Sequence, residues 1–189
     1  MENIFFDTNK LKSCGKNVII GKTVRIRYPE LVEIGDNVII DDFTYISTNL
    51  KIHSFVHIAA GSIIMGGKKC FVEMHEFSSM GLHATLVAGA DDFMGGIATP
   101  LVDVEFKGDV TYGKIILNKH CLVAPGSVVM PNVTFGEGAA VGALSLVKKD
   151  LKEWTLYAGI PVREIKKRKK EQIQNLEKAF YLKLKESEE

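Results

Sequence analysis

The sequence lacks a charge bias. Its 189 residues carry 24 Lys+Arg against 23 Asp+Glu, a net charge of +1, so the basic excess of a dedicated nucleic-acid binder is missing. Long apolar runs are also absent: none approaches the roughly 18 residues a membrane span needs. The N-terminal MENIFFDTNK has no basic segment leading into an apolar one, which predicts a cytoplasmic rather than a secreted protein. Cysteine is scarce. Cys14, Cys70 and Cys121 are odd in number, widely spaced and contain no CxxC, so they read as reduced thiols rather than a disulfide frame or a zinc site. What is present is ordinary: 46% hydrophobic and 25% charged residues, enough to build one cored domain with an appendage.

The informative presence is a period of six. Isoleucine recurs at Ile34, Ile40, Ile46, Ile52, Ile58 and Ile64. The pattern extends upstream to Cys14, Ile20 and Ile26. Downstream it covers Met74, Met80 and Leu86, then Leu117, Val123 and Val129, then Phe135, Val141 and Val147. The fifth position of most hexads is small, β-branched or apolar, as at Val38, Thr44, Val56, Ser62, Ser127 and Ala139. A helical repeat of 3.6 and a strand alternation of 2 both fail to give a strict six. Grouped by threes, these positions make six triplets, and every irregular step (8, 10 and 31 residues) falls between the end of one triplet and the start of the next.

That regularity predicts a triangular parallel β-helix of about six coils, each about 18 residues long, with insertions at one corner only. Six rungs rise roughly 29 Å at about 4.8 Å per strand spacing. Gly15, Gly21, Gly35, Gly81, Gly136 and Gly142 each follow an inward residue, and a sharp turn there predicts positive φ. An antiparallel sandwich would show alternation and hairpin signals, which are not visible. Residues 87–113 form a long excursion at the insertion corner, and loops of that length are usually functional or disordered. The organisation predicted is a β-helix domain over 1–162 and a C-terminal helix over 163–189. The helix rests on Ile173, Leu176, Phe180 and Leu184, recurring at steps of three and four. It or its lead-in is also a candidate cover for the last coil.

Several segments carry a family resemblance. Ile-Gly-Asp-Asn-Val-Ile (34–39), Phe-Gly-Glu-Gly-Ala-Ala (135–140) and Val-Gly-Ala-Leu-Ser-Leu (141–146) resemble the hexapeptide repeat of the left-handed β-helix acyltransferases. VAPGSVVMPNVTFGEG (123–138) and KKDLKEWTLYAGIPVREIKKR (148–168) resemble the closing coils and terminus of that family. IDDF, HIAAG, ADDF and NKHC are similar to segments of bacterial sugar O-acetyltransferases of the galactoside and capsule type. The resemblance implies an all-β, left-handed coil, although parallel crossovers are normally right-handed. It further implies a homotrimer, acetyl-CoA as cosubstrate in the groove between neighbouring prisms, and a sugar or nucleotide-sugar acceptor.

Transfer of acetyl to a hydroxyl needs a base, an oxyanion donor and two aligned substrates. Among the five histidines, His57 is last in its hexad, outward beside a corner and next to Ile-Ala-Ala-Gly; catalytic and structural roles are both open. His53 and His75 occupy equivalent corners and are predicted to stack about 5 Å apart as surface decoration. His83 and His120 face outward. Galactoside and maltose acetyltransferases carry their catalytic histidine just after the strand matching Thr85–Ala88, where this chain has Ala90-Asp91-Asp92. Asp91 and Asp92 are candidates to orient a histidine or to bind sugar hydroxyls, with a loop-initiating turn as the alternative. For the donor, the resemblance points to Ala124, Pro125 and Ala143 along the pantetheine arm. It points to Lys148, Lys149, Arg163 and Lys166 for the phosphates.

The first functional reading is therefore an acetyl-CoA-dependent O-acetyltransferase of a sugar. The alternative is N-acetylation of a nucleotide-linked amino sugar, since an amine arriving deprotonated needs less help from a base. A carbonic anhydrase of the γ type is disfavoured, because His53 and His57 lie at opposite ends of one flat face. A non-catalytic trimer would fail to bind acetyl-CoA.

Overall fold

A computed structural model describes residues 6–186. Among these residues the chain winds as a three-sided parallel β-helix. The first face stacks Ser13–Cys14, Val32–Ile34, Lys114–Leu117 and Val133–Phe135 with the late parts of Tyr45–Ile52 and Ile63–Met74. The second face stacks Ile19–Ile20, Ile39–Ile40, His57–Ile58, Ser79–Met80, Leu122–Val123, Ala140–Val141 and Thr155–Gly159. The third stacks Arg25–Ile26, Thr85–Val87, Val128–Val129 and Leu146–Val147 with the early parts of the two long strands. Those two strands run around the third corner and so join its two flanking faces into one ten-stranded sheet.

The six-residue period is the register of this stack. Ile34 pairs with Ile52, Ile40 with Ile58 and Ile46 with Ile64, so identical positions lie over one another from coil to coil. Every hexad-first residue after Cys14 is buried, and Ile20, Ile40, Ile46, Ile58, Ile64 and Phe135 are wholly enclosed. Fifth positions such as Val38, Ser62, Ser78, Cys121 and Ser145 fill the corners beside them. Each buried aliphatic side chain is worth about 1.5–3 kcal/mol.

The coil outlasts its sequence signal. The corner after Val147 is short, so the next inward residue comes at Leu151, four positions on, where it bridges Phe135 in parallel. Tyr157 then pairs with Val141, which adds two faces of a seventh turn beyond the six coils expected. Val162–Lys167 folds back antiparallel on Thr155–Gly159 and occupies that strand's outer edge. Residues 163–167, expected to open the helix, are therefore strand, because an open edge of unpaired N–H and C=O groups is covered by them. The helix itself is Lys170–Glu186.

The glycines act by close approach rather than by dihedral. None of Gly15, Gly21, Gly35, Gly81, Gly136 or Gly142 has positive φ. The left-handed residue sits two positions later, after each of these glycines except Gly21, and equally at Phe55, Phe77 and His120 on the first corner. What forbids a side chain at Gly136 is the next coil: a Cβ there would stand 2.5 Å from the Glu153 nitrogen.

The first corner becomes an aromatic ladder. Phe55 stacks on Phe77 at 5.2 Å, Phe77 on His120 at 5.2 Å, and Trp154 follows at 5.8 Å. The C-terminal helix lies along it. Phe180 and Tyr181 meet Phe55 and Phe77 edge-on. Glu177 accepts from Lys119 and, at 2.7 Å, pairs with His120. Arg168 reaches under the helix start to donate to the carbonyls of His120 (2.8 Å) and Gly138 (2.6 Å).

Gly136→Ala should lower stability by about 1–3 kcal/mol, the usual cost of overpacking, read as a shift in urea midpoint. Gly142→Ala, whose Cβ would come no closer than 3.2 Å to its neighbours, at the Ala158 methyl, should cost less. Equal losses would remove inter-coil crowding as the reason for glycine at this position.

Candidate active site

The third corner takes every long insertion, and a cluster of polar and charged side chains lies there. Gly89–Ala90 pairs antiparallel with Thr111–Tyr112, forming a two-stranded neck from which residues 91–110 hang. This narrows the excursion expected over 87–113, since Val87 still belongs to the third face and Ala88 is buried. Between the neck and the coils lies a polar cleft of about 260 Å³. Arg27, Tyr28, Ser47, Asp91, Lys107 and Tyr112 are among its walls. Lys68 lies over the Tyr28 ring at 4.8 Å and Lys69 over the Tyr112 ring at 4.9 Å, so two aromatic faces are already matched with cations.

Asp91 and Asp92 divide their work. Asp91 points into the cleft and pairs with Lys107 at 2.8 Å, both largely shielded from solvent. Asp92 turns into the loop. Its carboxylate accepts the N–H groups of Met94 (2.8 Å), Gly95 (3.1 Å) and Asp109 (3.1 Å). The Met94, Asp109 and Gly95 amides hold the Asp92 carboxyl below its ordinary value. That is the loop-initiating turn weighed from the sequence, extended to the returning strand of the loop.

His57 lies on the second face, exposed, and within the chain its partner is Asp41, whose Oδ2 is 2.9 Å from Nε2. Asp91 and Asp92 are engaged elsewhere, so the carboxylate that orients His57 is one the sequence reasoning did not select. Its signal was present in IDDF, where Asp41 follows the inward Ile40 just as Ala59 follows Ile58. Arg27, Tyr28, Lys107 and Tyr112 were also missed. Their place at the insertion corner marked them as a group, Tyr28 in the short step and Lys107 and Tyr112 in the 87–113 excursion, but nothing singled out the individual residues.

The other histidines are structural or apart. His120 is clamped by Phe77, Trp154 and Glu177. His83 sits with φ of 56° over Gly61 on the second corner. His53 and His75 stack with ring centroids 4.4 Å apart, close to the spacing expected. Burial raises all three cysteine thiols, and that of Cys121 is pushed up to about 12.

The residues expected to hold the donor fall on two neighbouring corners and the cap. Ala124, Pro125 and Ala143 stack on the second corner in successive coils, with Pro125 packed over Gly81. Arg163 pairs across from Ala158 above that corner, and Lys166 pairs across from Leu156. Lys148 and Lys149 are exposed on the third corner after Val147.

A three-sided coil of hexads with one loop-bearing corner defines a hexapeptide-repeat protein, and it has the left-handed sense of its structural neighbours. No family model matches the chain. The dTDP-4-amino-4,6-dideoxy-D-glucose acyltransferase of Escherichia coli is 34% identical over 173 residues, covering 89% of this chain and 88% of that protein. The crystal structure of AntD, an N-acyltransferase from Bacillus cereus, in complex with dTDP-4-amino-4,6-dideoxyglucose and coenzyme A superposes with a TM-score of 0.89. It is 39% identical, and the match covers 97% of this chain and 100% of that one. A maltose O-acetyltransferase from Clostridium difficile, 18% identical with a TM-score of 0.58 over 85% of this chain and 72% of that one, shares the fold alone. The chain belongs to the hexapeptide-repeat acyltransferases, beside the bacterial sugar acyltransferases, and is itself an acyltransferase. Among the described residues no helix is long and apolar enough to cross a membrane.

Because the Asp92 carboxyl is held below its ordinary value of 3.8, the order it gives the loop is present above that value and is lost as pH falls through the lowered one. The amide resonances of Met94, Gly95 and Asp109 should stay fixed down to about pH 4 and then move together. Asp92→Ala should speed exchange of those amides at neutral pH. Unchanged exchange in that variant would show that the loop is held by other contacts.

Proposed function

We propose that the chain transfers an acyl group from acyl-CoA, with acetyl-CoA as the first candidate, to the amine of a nucleotide-linked amino sugar. The observation that carries this reading is the Asp91–Lys107 pair in the third-corner cleft. A carboxylate already matched to an ammonium, beside two tyrosine faces, is the contact a protonated amino sugar makes on displacing Lys107. Arg27, Lys68 and Lys69 supply positive charge for a pyrophosphate, and Tyr28 or Tyr112 supplies a ring for a base to stack on. The two relatives at 34% and 39% identity are both named for the same 4-amino sugar nucleotide, as acyltransferase or in complex.

Ala124, Pro125 and Ala143 offer a low corner for the pantetheine arm, with Lys148, Lys149, Arg163 and Lys166 toward the phosphates. The small side chains of Ala124 and Ala143 leave backbone within reach of a pantetheine arm, and the exposed Arg163 and Lys166 above that corner, with Lys148 and Lys149 on the next, offer the charge that phosphates ask for, so the residues present fit coenzyme A. Coenzyme A supplies the acyl group as a thioester. Asp91 takes one proton from the acceptor ammonium and frees its lone pair. The new C–N bond forms and the C–S bond breaks; of the two protons still on nitrogen one leaves with the sulfur as the thiol and the other stays on the amide. A homotrimer completes the reading. Phe93, Met94 and Leu101 on the loop are 83%, 96% and 90% exposed in the single chain, an apolar tip suited to packing on a copy of the prism.

One observation favours the second reading, transfer to a sugar hydroxyl. His57 with Asp41 at 2.9 Å is a base–orienter pair, which a hydroxyl needs and an amine does not. The two readings separate in one experiment. Under the amine reading, thiol release should be fast with a nucleotide-linked 4-amino sugar and slow with its 4-hydroxy analogue. Asp91→Asn should then lower kcat about 10²–10⁴-fold, and His57→Ala should have little effect. Preference for the hydroxyl analogue, with His57→Ala strongly reducing release from an intact trimer, would transfer the base role to His57.

A further inference from the structure

We propose that His53, Glu73 and His75 form a binding site for one divalent late transition-metal ion, of the zinc, nickel or copper(II) class. The site rests on the coil geometry alone and is independent of the acceptor reading. Ile52 and Met74 are register partners on the first face, so the residues that follow them reach the same point of the first corner one coil apart. The two imidazoles lie 4.4 Å apart and 13° from parallel. Glu73 projects outward from the same face. Its Oε1 is 2.8 Å from His53 Nε2 and 3.8 Å from His75 Nε2. One ligand atom from each of the three residues lies within 4.8 Å of the other two. Tetrahedral coordination at about 2.0–2.1 Å to nitrogen and oxygen asks for separations of about 3.4 Å. The nearly parallel rings do not aim their in-plane lone pairs at one point as they stand, so coordination requires at least one imidazole to tilt out of the stack.

The surroundings favour coordination over a plain ion pair. His53 faces carboxylates on both ring nitrogens, because Glu76 Oε1 stands 3.4 Å from Nδ1. Outer carboxylates of this kind fix the tautomer and the ring angle of a metal-bound histidine. An ion between Nε2 and Oε1 takes the place of the proton there. The side chains of His53, Glu73 and His75 are 24%, 19% and 30% exposed, open enough for an entering ion and a bound water. Two imidazoles with one carboxylate suit zinc or a neighbouring metal, whereas magnesium and calcium ask for oxygen. Lys51 opposes the site, with its ammonium 3.8 Å from the same Glu73 oxygen. A bound ion would staple the third coil to the fourth.

The test uses the full chain without a histidine tag, stripped with chelator and titrated with Zn²⁺, Ni²⁺ or Co²⁺ alone. One ion should bind per chain, Tm should rise with metal concentration, and one equivalent of Co²⁺ should give visible d–d bands. His53→Gln and His75→Gln should each abolish the stoichiometric binding. Glu76→Gln should weaken it about ten- to a hundredfold, and Lys51→Met should tighten it. Binding well below one ion per chain, or equal binding in the His53→Gln and His75→Gln variants, would overturn the proposal. If those variants do not fold, the cobalt spectrum of the unaltered chain decides, and its absence at one equivalent overturns the site.

Discussion

Strand spacing governs this molecule. Each coil must lie about 4.8 Å above the last, so whatever happens at a corner must happen again directly overhead. Turns are therefore made the same way in coil after coil, with left-handed residues at Asn17, Asn37, Phe55, Phe77 and His120. Bulky residues there cost about 1–2 kcal/mol each. The rings of Phe55, Phe77 and His120 offset part of that by stacking on one another and on the C-terminal helix. Glycine at second hexad positions such as Gly21, Gly35 and Gly136 obeys the same spacing, because the backbone of the neighbouring coil occupies the space a Cβ would take.

A repeating wall gives little room for chemistry, which needs unlike groups side by side. The third corner relieves that restriction. It alone receives the long insertion, and the neck formed by Gly89–Ala90 and Thr111–Tyr112 returns the chain to the register it left. Asp92 binds the two arms of the loop together, which leaves Asp91 free to face the cleft. The second and third corners flank the same face. Under the function proposed, the donor strip on one and the acceptor cleft on the other meet only where two copies of the prism pack together, which the proposed trimer supplies.

The repeat made the fold legible. Ile34 to Ile64 at steps of six marked the inward positions, and triplets with interruptions at one place marked the faces. The seventh turn escaped because Lys148-Lys149-Asp150 is a short corner and breaks the count before Leu151. The positive φ expected of Gly15 and its equivalents was misplaced by two residues, since periodicity shows that a turn exists but not which residue bends. The site was less legible for a physical reason. Asp41 and His57 are 16 positions apart, Asp91 and Lys107 likewise, and only the coil pitch and the loop's path bring each pair together. Asp91 and His57 were selected by type and place. Their partners required coordinates.

The returning strand Val162–Lys167 has a consequence beyond the single chain. A stack of parallel coils is in principle unlimited, since each finished rung offers the next one a full row of hydrogen-bonding groups. By lying antiparallel on the second face and carrying Arg163, Lys166 and Lys167 outward against the single carboxylate of Glu164, this strand closes that part of the row with the opposite polarity and a net positive edge. Two molecules meeting head to head at this end find repulsion in place of a template, so a polypeptide built on the geometry of a fibril is kept from growing into a filament there.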